Sequence, residues 1–358
     1  MTAFDEFPRR VTATLHRYFD ARAEEVARIG EPVSLAVQHL RDFVLNGGKR
    51  VRPTYAWAGF LGAKGLDGAE DPEAVLTALS SLEFIQACAL IHDDIIDASD
   101  TRRGQPTIHR RMEAHHRDHG WHGEAGHFGE SVAILVGDMA LAWAEDMFLD
   151  SGLSPDALRR AREPWRAMRT EVIGGQVLDI VSEASGTEDI AAAEAVNRFK
   201  TAAYTIERPL HLGAALAGGS PELIAALRGY GRDIGIAYQL RDDQLGVFGD
   251  PSVTGKPAGD DVRNGKRTVL LATALQAADA HDPAAAEELR QGVGHTRDEA
   301  HVHRLTEIIR DMGAEDAVEN SIAELQESGL RHLTEAGIDP ELTENLRMLA
   351  LRATERRS

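Results

Sequence analysis

Apolar residues along this chain recur every three or four positions, the spacing of one face of an α-helix. Val33, Val37, Leu40 and Val44 predict an amphipathic helix that stops at Gly47-Gly48. After a polar turn from Lys64 to Pro72, a longer apolar stretch predicts one helix from Glu73 to about Ala98. Ser131 stands where it would cap a helix carrying Val132, Leu135, Val136, Met139 and Trp143. Helices are also expected from Pro155 to about Val181 and from Glu188 towards Pro209, where a kink or an end should fall. Another runs from Pro221 to Val247, and the pattern continues beyond Val269 with Leu305, Ile308, Ile309 and Met312. Strand alternation, a repeat period and a long linker are all missing from the sequence. The pattern therefore predicts a single all-α domain over residues 1–358.

Composition agrees, with 43% hydrophobic residues, only 5% aromatics and few β-branched runs. The formal net charge of -19 argues against nucleic acid or an anionic membrane surface as a partner. A polyanionic small substrate would be repelled too, unless local Lys/Arg clusters and a divalent metal reverse the sign. The single cysteine, Cys88, leaves no internal disulfide and no zinc pattern, which suits a reducing compartment. The N-terminal residues have no apolar core of signal-peptide length. Glu83 and Asp138 interrupt the two most apolar stretches, so neither reads as a membrane span, and a cytoplasmic protein is expected.

Candidate chemistry gathers first at LIHDDIIDASDTRRGQPT, residues 90–107, where Asp93, Asp94 and Asp97 close an apolar helix and Arg102 and Arg103 follow. Asp93 and Asp97 lie one helical turn apart, so both carboxylates can grip hard cations. Acidic groups at a helix C-terminus oppose its dipole, and a bound cation supplies the reason for them. The loop GGKRVRP offers glycines for close backbone approach and Lys49, Arg50 and Arg52 for charge. Taken alone it is equally a helix cap with surface cations. The six histidines between His109 and His127 lack zinc-ligand spacing and read as a polar inter-helix loop. Asp138 is either a carboxylate near the metals or a hydrogen-bonded core group, the second preferred. Gly174-Gly175 inside a helix calls for close packing or a ligand there. A second carboxylate pair, Asp242-Asp243, ends the helix carrying Gln239, and a glycine-rich loop with Lys256 and Lys266 follows it, suggesting a lid over phosphates.

Together, in this order from about Gly47 to Thr268, these motifs resemble the trans-isoprenyl diphosphate synthases, or polyprenyl synthetases. The resemblance implies an isoprenoid-synthase helical bundle around a deep central cavity, generally a homodimer. It implies a prenyltransferase in which an allylic diphosphate, bound through three magnesium ions, ionises and is attacked by the double bond of isopentenyl diphosphate. Asp93, Asp97 and Asp242 match the metal ligands, with Asp94 and Asp243 supporting. Arg102, Lys200 and Lys256 match contacts to the allylic diphosphate, and Lys266 a closing-lid contact. Thr201 and Gln239 match groups that place oxygens near the developing cation. Lys49, Arg52 and Arg103 match the isopentenyl diphosphate site, to which Gln86 also belongs, standing where the family often has histidine. Gly246 replaces the usual last aspartate of the second motif, so water is expected to complete that metal shell, with Asp250 one turn on as a weaker candidate. On that basis Gly246→Asp should leave condensation largely intact.

In the same family the residues four, five and eight before the first aspartate gauge product length. Here they are Ala89, Cys88 and Ile85, none aromatic, which disfavours ten- and fifteen-carbon products; geranylgeranyl diphosphate is then favoured as the commoner product in the family, with longer chains open. A terpene cyclase, a head-to-head condensing enzyme and a catalytically silent partner subunit are the competing readings. The first two do not need the isopentenyl diphosphate site, and the third usually loses motif aspartates that are all present here.

Overall fold

The computed structural model describes residues 3–250 and 258–354. It divides into two compact units, Met1–Trp165 with Leu212–Gly219, and Arg166–His211 with Ser220–Ser358. Regular structure among the described residues is helical throughout except for one hairpin of two two-residue strands.

The first unit holds α1 (Ala3–Ile29), α2 (Glu31–Leu45), α3 (Val51–Gly62), α4 (Pro72–Ser80), α5 (Leu82–Ile96), α6 (Ile108–Asp118), α7 (Ala125–Leu149) and the start of α8 (Pro155–Ser185). Its hairpin pairs β1 (Thr101–Arg102) with β2 (Gln105–Pro106). Helices α5 and α6 both pack on α7. Stacked aromatic pairs, Phe7 on Trp57 at 4.8 Å and Phe148 on Trp165 at 4.2 Å, fill the layers between helices. The stretch Pro72–Ile96 is long and apolar enough to cross a membrane by composition, yet most of it is buried in this core.

That stretch is also two helices rather than one. Ser80 Oγ donates to the Leu76 carbonyl at 2.7 Å and Ser81 Oγ to the Ala78 carbonyl at 2.5 Å. The helix is interrupted at Ser81, whose amide donates to the Ala78 carbonyl at 3.2 Å, an acceptor three residues back instead of four. The histidine-rich stretch differs from expectation as well. His109, His115 and His116 belong to α6, and His109 and His116 are buried. Gly129 makes this packing possible, because a Cβ there would lie 2.3 Å from the His109 carbonyl oxygen. Helix α7 starts at Ala125, capped by the Glu124 carboxylate, which accepts from the Gly126 and His127 amides. Ser131, the expected cap, instead donates to the His127 carbonyl inside that helix.

The second unit holds the rest of α8, then α9 (Ile190–Val196), a π-helical segment Asn197–Glu207 and the start of α10 (Arg208–Leu216), whose residues from Leu212 on belong to the first unit. There follow α11 (Pro221–Phe248), α12 (Asp260–Asn264), α13 (Val269–His281), α14 (Pro283–Gly292), α15 (Glu299–Asp311), α16 (Ala314–Glu335) and α17 (Pro340–Thr354). Helix α11 is central, packed on the π segment and on α16. Gly231 and Gly235 bring it against the π segment so closely that a Cβ at either would sit 2.6 Å from the backbone of Glu207 or Ala202. Leu240, Val247, Leu271, Leu275, Ile309 and Ile322 close the core around it. The helix does not end at Pro209. Winding changes from π to α there, the register skips an acceptor, and a residue without an N–H fits.

Candidate active site

In the first unit, Asp93 and Asp94 occupy the last turn of α5 and Asp97 is its C-cap, its amide donating to the Asp93 carbonyl at 2.8 Å. Ala98 then takes a positive φ of 49°, and the chain leaves the helix. Arg103 and Gly104, with φ of 53° and 72°, form the tight turn between β1 and β2. This hairpin returns Arg102 to the carboxylates, where Nε donates to Asp94 Oδ1 at 2.5 Å and Nη2 to Asp93 Oδ2 at 3.0 Å. Asp94 is buried and Asp97 exposed. Burial pushes the Asp94 carboxyl up to about 6, against the pull of Arg102. Asp138 is neither a core group nor part of this cluster: its side chain is largely exposed, 3.8 Å from His92 Nε2.

The glycine loop lies close by. Arg103 overlies it, since a Cβ on Gly47 or Gly48 would lie 3.5 or 3.7 Å from its Nη1. Lys49 is exposed and Arg52 buried. Arg50 does not join the outward cations, because its side chain is buried against Glu83. Gln86 is half-buried on α5, three residues after Glu83. Of the gauge residues, Ile85 is fully buried, while Cys88 and Ala89 are half-buried. His92 Nε2 donates to the Ile134 carbonyl at 3.1 Å, which leaves Nδ1 facing the Cys88 thiol at 3.8 Å.

The second unit builds its own polar group. Thr201 Oγ1, on the π segment, donates to Gln239 Oε1 at 2.6 Å, and Gln239 Nε2 donates to Asp243 Oδ1 at 2.7 Å. This chain fixes the amide orientation of Gln239. Lys200 Nζ lies 2.5 Å from Asp179 Oδ2, a partner the sequence did not single out. Gly175 brings those helices together, as a Cβ there would lie 2.2 Å from the Lys200 nitrogen. Close packing thus accounts for one of the paired glycines. Asp242 is exposed and Asp243 buried. Burial first, then the charges of Asp261 and Asp242, push Asp243 up to about 7.

Asp261 is the residue that sequence reasoning missed. It sits at the start of α12, its carbonyl accepting from the Lys266 amide at 3.1 Å. A Cβ on Gly246 would lie 2.0 Å from its Oδ2. The space that an aspartate at 246 would need is thus filled by the Asp261 carboxylate, which would have to move aside in Gly246→Asp. Asp250 does not extend the motif by a further turn either, because α11 ends at Phe248 with Gly249 as its cap. The only sequence signal for Asp261 was its place five residues before Lys266. Lys256 lies outside the described residues.

Among the described residues no three His, Cys, Asp or Glu converge as a preformed metal cage. The donors nonetheless suit a hard cation, being carboxylate oxygens at two helix ends. Asp94 Oδ2 and Asp243 Oδ2 are buried and accept no hydrogen bond among the described residues.

Fold and site together define an all-α prenyltransferase of the isoprenoid-synthase type. The chain belongs to the polyprenyl synthetase family, which it matches over residues 34–312. It is 61% identical to geranylgeranyl pyrophosphate synthase from Corynebacterium glutamicum, whose crystal structure is complexed with isoprenyl diphosphate and magnesium. That similarity covers 99% of this chain and 100% of the other, with a TM-score of 0.96. Geranylfarnesyl diphosphate synthase from Aeropyrum pernix is 35% identical over 277 residues, 76% of this chain and 79% of the relative. A geranylgeranyl pyrophosphate synthetase from Pyrococcus horikoshii is 25% identical over 99% of this chain and 100% of that one, with a TM-score of 0.80.

Proposed function

We propose that this prenyltransferase condenses isopentenyl diphosphate head-to-tail with an allylic diphosphate and releases geranylgeranyl diphosphate. The observation that carries this reading is the full-length similarity to the Corynebacterium glutamicum enzyme, in a chain that keeps Asp93, Asp94, Asp97, Asp242 and Asp243. Because the family match runs through both units, we take residues 1–358 as one catalytic domain.

Asp93, Asp97 and Asp242 would hold magnesium, three ions per site by the family pattern, and Asp94, Asp243 and Asp261 would support them from behind. Bound magnesium would neutralise the charge that builds on the leaving diphosphate. Arg102, Lys200 and Lys256 bind the allylic diphosphate, and Lys266 closes over it. Thr201 and Gln239 present oxygens to the developing allylic cation, held in place by the hydrogen-bond chain to Asp243. Lys49, Arg52, Arg103 and Gln86 hold isopentenyl diphosphate. No side chain needs to act as a nucleophile.

A homodimer is the proposed assembly. On α8, Ile173, Val177, Ile180 and Val181 form an exposed apolar stripe at helical spacing, a face suited to a second copy. The proposed compartment is the cytoplasm.

The test is purified protein with magnesium, radiolabelled isopentenyl diphosphate and a panel of allylic primers, with products resolved by chain length. A twenty-carbon main product is expected. Label confined to twenty-five carbons or more would favour the second reading, a geranylfarnesyl or longer-chain synthase, to which the Aeropyrum pernix relative points. No incorporation at all would overturn both.

A further inference from the structure

The cationic loop is joined to α5 by a buried ion pair, Arg50 with Glu83. Arg50 caps α3 in the left-handed region, with φ 52° and ψ 40°, and turns its side chain inward. Its Nη1 lies 2.5 Å from Glu83 Oε2 and donates to the Val44 carbonyl at 2.8 Å. Nη2 reaches the Leu45 carbonyl at 3.4 Å, and Nε donates to Thr12 Oγ1 at 3.2 Å. Both partners of the ion pair are only 4% exposed. One guanidinium thus ties the end of α2, the start of α3, helix α1 and helix α5 to a single point.

The groups proposed to bind isopentenyl diphosphate surround that point. Lys49 and Arg52 flank Arg50 in sequence, and Gln86 follows Glu83 by one turn of α5. A Cβ on Gly48 would lie 3.5 Å from Arg50 Nη1 and 3.6 Å from Arg103 Nη2, so both guanidiniums border the same glycine. Burial lowers the pKa of Arg103, Glu83 raises it, and Arg102, Arg50 and Arg52 lower it again. Glu83 is therefore the carboxylate among clustered cations that would otherwise repel one another.

We propose that Arg50 and Glu83 are the positioning pair of the isopentenyl diphosphate subsite, locking the loop so that Lys49, Arg52, Arg103 and Gln86 converge on one diphosphate. This rests on the assignment of that subsite made above. The pair does not touch the substrate; it acts through the residues it holds.

Charge alone argues the opposite way, which makes the proposal testable by sign. If Glu83 merely repelled the anionic substrate, its removal would tighten binding. If it positions the loop, removal loosens binding. The experiment measures steady-state kinetics and thermal midpoints for Glu83→Gln, Arg50→Lys and the double variant Arg50→Met/Glu83→Met. The double variant leaves no lone buried charge, and because it also removes the donor to the Val44 and Leu45 carbonyls its thermal midpoint shows whether the fold is kept. We expect the KM for isopentenyl diphosphate to rise about tenfold in each folded variant, with kcat and the allylic KM within about twofold of wild type. An unchanged or lowered KM for isopentenyl diphosphate in the double variant would overturn the proposal. So would an equal loss in both KM values and kcat that tracks the thermal midpoint, the mark of a merely structural pair. A wild-type enzyme that incorporates no isopentenyl diphosphate would instead remove the subsite itself.

Discussion

Gly246 and Asp261 share one space: a Cβ on the glycine would stand 2.0 Å from Oδ2 and 2.4 Å from Cγ of the aspartate. Neither residue can be understood without the other. Gly246→Ala should therefore cost about 1–3 kcal/mol of stability by overpacking, and Gly246→Asp more, because it adds a carboxylate beside Asp261. Thermal unfolding checks this. Adding Asp261→Ala to Gly246→Ala should restore most of the lost midpoint, and a strictly additive double variant would refute the shared-space account.

Asp242 is the exposed carboxylate of the second acidic helix end. Asp242→Ala should lower kcat by about 10²–10³-fold, the usual cost of one electrostatic stabiliser of a leaving group, with the thermal midpoint little changed. Steady-state rates near those of wild type would remove Asp242 from the site.

Product length offers a sharper test at Cys88. Its thiol is pushed up to about 12 by burial, with Asp138 acting in the same direction. Native protein at pH 8 should therefore resist iodoacetamide, with labelling restored in denaturant, as mass spectrometry would record. Cys88→Phe should shorten the main product. An unchanged distribution by chromatography would mean that the floor of the product pocket is set on a helix other than α5.

Acid stability should depend on His211. Burial, then the charges of Arg208 and Arg228, lower its pKa from 6.5 to about 4. Arg208 Nη1 lies 3.2 Å from His211 Nδ1, and Glu171 holds Arg208 in place. The folded protein thus keeps this imidazole neutral. Its stabilising contribution is fully present above about pH 6.5 and is lost as pH falls towards 4. The thermal midpoint of wild type should fall across that window, and His211→Gln should flatten the fall.

Much of this protein was legible in the chain itself. Helical periodicity carries the all-α class, because one apolar face every 3.6 residues is a local property. The chemistry was legible for the same reason. Asp93 with Asp97, the GGKRVRP loop, Lys200-Thr201 and Gln239 with Asp242 are short-range patterns, and their order along the chain carried the family resemblance.

Tertiary structure decided everything that depends on residues far apart in sequence. The break at Ser81 is the exception, a local change of hydrogen-bond register that apolar periodicity does not report. The histidines at 109 and 116 belong to the buried face of α6 instead of the expected loop, with Gly129 of α7 packed against the His109 carbonyl. Arg50, read as one more surface cation, became a buried partner of Glu83 33 residues away. Asp261 filled the space that Gly246 leaves, a relation between positions on separate elements that periodicity cannot express. Sequence patterns report which side chains share a local face. Only the packed fold sets which distant groups compete for the same few ångströms.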